Sequence, residues 1–222
     1  MFKRIFLSPF FMPITFMVLW FALMGGICFF ADDILLQTKD GKLVDVLAKM
    51  GYLLLIAALF FFADDFKDKT RSWGMYIFLT MTCFLRESGI QHHLSTTDTT
   101  PFKSRFFLNP NNPLYEKLIF GFILLMVAGC VIYLAIKYAK YLVRSFCRFD
   151  TISWSVAVLC TVGVVMKIID RFPANYKHTY HMPLSDDAYA VCQLLEESGE
   201  MFLPYIGLAI LFQYRFFRRG LV

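Results

Sequence analysis

Charge is scarce in this chain. Lys, Arg, Asp and Glu make up 18% of its 222 residues, where a soluble domain carries about a quarter. With 58% hydrophobic residues and a mean hydropathy of +0.57, this shortage excludes an ordinary cytosolic enzyme and a disordered regulator. Paired cysteine spacing is also missing. The six cysteines (Cys28, Cys83, Cys130, Cys147, Cys160, Cys192) are scattered in or beside apolar runs with no CxxC, so they read as small packing residues and not as a disulfide framework. HExxH, GxSxG, a P-loop and GxGxxG are all absent. No basic stripe interleaved with aromatics lies outside the apolar segments, so the net charge of +5 reads as membrane topology and not as nucleic-acid binding.

What is abundant is apolar length. The sequence carries 26 Phe and 11 Met. It divides into six apolar segments, at about 10–31, 45–63, 72–90, 118–136, 152–172 and 188–214, with no internal repeat. The first and fourth are uncharged over about 20 residues, the length that crosses a hydrocarbon core of about 30 Å. The first is too long for the core of a signal peptide and reads as a retained span. The fold class expected is therefore all-α integral membrane: a single six-helix transmembrane bundle filling 1–222.

Lys and Arg set the expected orientation. With the N-terminus inside, the inner face collects Lys3, Arg4, Lys67, Lys69, Arg71, Lys137, Lys140, Arg144, Arg148, Arg215, Arg218 and Arg219, which is 12 of the 22 basic residues. Several of the other ten, such as Lys49, Arg86, Lys167 and Arg171, fall within span ends and not in free loops. The expectation is N-in/C-in, in a bacterial inner (plasma) membrane. Lys137, Lys140, Arg144 and Arg148 recur at helical spacing on one face, suited to anionic lipid of the bilayer or to a cytoplasmic protein partner. A homo-oligomer is compatible with the composition. Outside, two loops are expected, at 91–117 and 173–187. Ser95, His93 and Asp98 supply triad residue types within the first, but that run reads better as a capping and turn segment.

The informative feature is a level of intramembrane charge. Counted from the inner edge of each span, Arg86 and Glu87, Lys167, Asp170 and Arg171, Glu196, Glu197 and Glu200, and Asp45 and Lys49 all fall at depths of about 21–28 Å, given 1.5 Å per residue. Charges at such depth are costly and should face inward and find partners. Glu196, Glu197 and Glu200 share about 100° of one helix.

Three readings of this layer follow. It is an ion-pair clamp, a proton or ion path, or, with His92, His93, His178 and His181 beside it, a site for a divalent metal such as zinc. Against the path, no charge appears in the inner two thirds of the spans. The function expected is a membrane sensor, channel-like unit or scaffold that couples an outer signal to a cytoplasmic partner. The alternative is a metal-dependent membrane hydrolase acting on a lipid or lipid-linked substrate.

Overall fold

The computed structural model describes residue 6 and residues 8–30, 42–63, 72–90 and 104–218. Every regular element among them is a helix: α1 (Phe11–Phe30), α2 (Leu43–Phe61), α3 (Gly74–Glu87), α4 (Ser104–Leu108), α5 (Leu114–Phe146), α6 (Thr151–Tyr180) and α7 (Asp186–Arg218). Four of these, α1, α2, α5 and α6, are long and apolar enough to cross a membrane. The long apolar segments therefore do form membrane-length helices. α3, with 14 residues, is about 21 Å long, short of a hydrocarbon core of about 30 Å. In α7 the run is interrupted by Glu196, Glu197 and Glu200.

The chain divides into two compact units, Met1–Ala58 with Ser145–Val222, and Leu59–Arg144. In the first unit, α6 and α7 form the main helix pair. Met166 lies against Gly199, and the Ser155 hydroxyl donates to Gln213 Oε1 at 2.7 Å. Residue numbers rise on one helix as they fall on the other, so the two run antiparallel. By the same logic α1 runs antiparallel to α7, since Trp20 meets Ser198 and the carbonyl of Phe6 meets Gln213. α2 runs parallel to α7, with Gly51 against Pro204 and Gly207 against Leu55. Two apolar clusters fill the seams. Met12, Phe16, Val162, Met166 and Ile206 form one, and Ile27, Val44, Ala48, Leu194 and Met201 form the other.

The turn joining α5 to α6 is set by hydrogen bonds at both ends. The Asp150 N–H donates to the Ser145 carbonyl and the Phe149 N–H to the Phe146 carbonyl, both at 3.1 Å. This is a Schellman C-cap whose left-handed position, usually Gly, is filled by Phe149 at φ 56°. Trp154 stacks on Phe149 and on Phe146, with ring centroids 5.7 and 4.5 Å away, and so holds this conformation. Asp150 then caps α6, accepting from the Ser153 N–H and hydroxyl at 3.1 Å.

In the second unit, the α3 hydroxyls of Thr80, Thr82 and Ser88 donate to the carbonyls four residues back, so a helix with polar side chains presents few unsatisfied donors. Trp73 Nε1 donates to the Leu59 carbonyl at 2.8 Å. Before α5, Phe106 is fully buried between the ring edges of Phe107 and Phe120. Buried Asn112 donates to the Phe106 carbonyl at 2.7 Å, fixing the turn. From Leu118 to Ile136 the exposed residues of α5 are all apolar, among them Leu118, Phe122, Leu125 and Ile136.

One sequence expectation is corrected. The segment 173–187 is not a loop. α6 runs through Pro173 to Tyr180 and stops at His181, whose φ of 55° is left-handed. Phe172, Tyr176 and Tyr180, spaced one turn apart, form a continuous ladder of ring contacts that supports the extension. The connection to α7 shrinks to 181–185. α5 continues beyond residue 136 to Phe146 and carries Lys137, Lys140 and Arg144 on the same helix.

Candidate functional site

The antiparallel crossing of α6 and α7 builds the site. Gly199 lacks a Cβ, and one placed there would overlap the Met166 thioether. This close approach brings Lys167, next to Met166, onto Glu200, next to Gly199. The Lys167 ammonium lies 2.6 Å from Glu200 Oε1, 3.5 Å from Asp170 Oδ2 and 3.9 Å from Glu196 Oε1. Glu196 and Glu200 are one turn apart on α7, and Asp170 follows Lys167 by three residues on α6, so helical periodicity aims all three carboxylates at one cation.

Burial is graded across the cluster. The side chains of Glu200 and Glu196 are 11% and 20% exposed, while those of Asp170 and Lys167 are 41% and 47% exposed. The ammonium thus joins an inner carboxylate to an open edge. It is shared by three carboxylates from two helices, Glu200 and Glu196 on α7 and Asp170 on α6.

The neighbouring polar contacts are at the same height. Trp20 Nε1 donates to the fully buried Ser198 hydroxyl oxygen at 2.9 Å, and Ser198 Oγ lies 3.3 Å from both Met24 Sδ and the Leu195 carbonyl. Near the other end of the pair, Gln213 is fully buried, accepts from Ser155 and donates to the Phe6 carbonyl at 3.3 Å. Gln213 stands 15 positions along α7 from Ser198, so these levels are about 22 Å apart.

The other charged residues singled out in the sequence fall as follows. Asp45 pairs with Lys49 along its own helix, at 2.7 Å, and is buried. Glu197 is half-buried on α7. Arg171 is exposed and forms no ion pair among the described residues. Arg86, exposed, and Glu87, half-buried, belong to the second unit. Lys137 donates to Ser72 Oγ at 2.8 Å and lies over the rings of Tyr133 and Tyr138, while Lys140, Arg144 and Arg148 are exposed. His178 sits in the last turn of α6 and His181 caps it, both exposed. His92 and His93 lie outside the described residues, as do Ser95 and Asp98. Among the described residues no three His, Cys, Asp or Glu side chains group so as to hold a metal ion.

Sequence reasoning missed the Trp20–Ser198 and Ser155–Gln213 contacts. Gln213 carried a signal, being an uncharged polar residue in an otherwise apolar stretch near the end of the last segment. Its partner Ser155 lies 58 positions away and follows only from the helix register. No known protein family, curated protein or solved structure matches this chain.

Proposed function

We propose that the chain is a six-span protein of a bacterial inner membrane, N-in/C-in, serving as a sensor, channel-like unit or scaffold that couples an outer signal to a cytoplasmic partner. The observation that carries this reading is the sharing of Lys167 by Glu200, Glu196 and Asp170 across two helices. The same two helices meet again through Ser155 and Gln213 about 20 Å away. A change of charge at the open edge alters how α6 and α7 are held together, and that pair carries the change to the opposite end. At that end of α6 the exposed Arg148 offers positive charge, as the exposed Lys140 and Arg144 do on α5, to anionic lipid or to a cytoplasmic protein. The apolar outer face of α5 suits lipid or a second copy of the chain. Nucleic acid has no place in this reading.

Trp154, in the turn that starts α6, reports on the inner end. With Trp20 and Trp73 changed to Phe, it is the sole indole of the chain. Neutralising the outer cluster by Glu200→Gln is expected to shift Trp154 emission in reconstituted protein. The Arg171→Gln control, outside the ion pairs, should not. Identical Trp154 spectra in both variants would overturn the coupling.

A further inference from the structure

We propose that a groove on the first unit holds one acyl chain of a bilayer phospholipid. The inference stands apart from the role proposed for Lys167, because it rests on a different face of α7. Relative to Glu200, the groove residues Tyr205, Phe202 and Ala209 lie about 140–200° around the helix.

The groove has a volume of about 660 Å³, within the roughly 300–1,000 Å³ typical of ligand pockets. Its wall is apolar. Only Thr15 and Tyr205 among its lining residues carry a polar side-chain atom, and the Tyr205 hydroxyl already donates to the Leu47 carbonyl at 2.8 Å. Water needs two to four polar partners to settle in a site, so this one is not built for water or for a polar ligand.

Length and wall chemistry select the occupant. Along α1 the lining runs from Phe11 to Leu23, about 18 Å at 1.5 Å per residue. One leaflet of hydrocarbon is about 15 Å deep, half of a core of about 30 Å. An extended peptide is excluded by chemistry, since its N–H and C=O groups would find no partners on this wall. A hydrocarbon chain needs none. The position agrees, because the lining spans the levels between Gln213 and Ser198 on helices of which α1 and α2 are apolar enough to cross a membrane. Leu19, half exposed at the rim, opens the groove sideways toward lipid.

The test is photolabelling in vesicles of phosphatidylethanolamine and phosphatidylglycerol, doped with a phosphatidylcholine carrying a diazirine on its acyl chain. Adducts are mapped by mass spectrometry. The expected result is several-fold more adduct at Thr15, Leu19 and Ala209 than at Leu125 and Ile136, although these α5 residues are 73% and 75% exposed. Ala209→Phe, which fills the groove, should cut the groove adducts about tenfold and leave those on α5 unchanged. Ala209→Leu serves if the larger ring prevents accumulation. Adducts that follow exposure alone, that survive the filling substitution, or that avoid the groove altogether would overturn the proposal.

Discussion

Glu200 is the residue whose surroundings leave least freedom. Its carboxylate is 11% exposed and 2.6 Å from Lys167, so removing its charge leaves the ammonium with the weaker contacts to Asp170 and Glu196. Breaking a fully buried pair costs about 3–5 kcal/mol. Lys167 keeps nearly half its surface open, so a loss of about 1–2 kcal/mol is expected for Glu200→Gln, once that cost is discounted for screening. Lys167→Met should cost as much or more, because it leaves three carboxylates facing one another. The double variant should recover part of the loss, read as thermal stability in detergent and as accumulation in the membrane. Additive losses would mean that the pair is not a unit. The pairing was half legible in the sequence. Depth counting put Lys167 and Glu200 at one level, and periodicity put Glu196 with Glu200. The choice of Lys167 over Arg171 as the shared cation depends on the Met166–Gly199 contact, which no local pattern announces.

At the scale of elements, the helix seams depend on glycines that sequence alone does not distinguish. Gly51, Gly163 and Gly199 all stand inside long apolar helices. A Cβ on Gly51 would come within 2.8 Å of both the Pro204 ring and the Tyr205 ring. Pro204 is rigid and fully buried, and Tyr205 is tied to Leu47, so neither yields. Gly51→Ala should destabilise the unit by about 1–3 kcal/mol, the usual cost of overpacking. Gly199→Ala meets only a methionine side chain, which is flexible, and should cost less. Gly163 has nothing within 4 Å, and Gly163→Ala should be neutral or stabilising by up to about 1 kcal/mol through helix propensity. Thermal unfolding of the three variants checks the order. An equal loss at all three would show that backbone flexibility and not close packing is being read. The helices themselves were legible from hydropathy, but their ends were not. Pro173 looked like a stop, and the Phe172–Tyr176–Tyr180 ladder carries α6 past it. The Schellman turn at Phe149 lacks the glycine that would have marked it, because aromatic stacking supplies the stability that a glycine gives elsewhere.

For the whole molecule, the membrane class was legible from composition because a scarcity of charge is a property of the entire chain. The number of crossings was not, because α3 and α7 lie at the margin. α3 is 14 residues long, and α7 carries its glutamates inside the apolar run. The helix directions constrain the count. α1 and α6 run one way, and α2 and α7 the other. Because α2 and α6 run opposite ways within the first unit, an even number of crossings must separate them if both cross. If α5 crosses once, one further crossing is needed between α2 and α6, and α3 is the helix available to make it. A crossing by α3 costs little in hydroxyl desolvation, since Thr80, Thr82 and Ser88 bond to their own helix. Arg86 and Glu87 fall at its final turn, where long side chains reach the interface. If α3 and α7 cross as well as the four longer apolar helices, the six crossings proposed above put both termini on one side. A reporter active only outside the membrane is therefore expected to work when fused after Asn112 or Tyr180. The same reporter should be silent after Lys69 or Val222. A silent reporter after Asn112 combined with an active one after Val222 would mean that α3 does not cross, since loss of that crossing reverses every later helix.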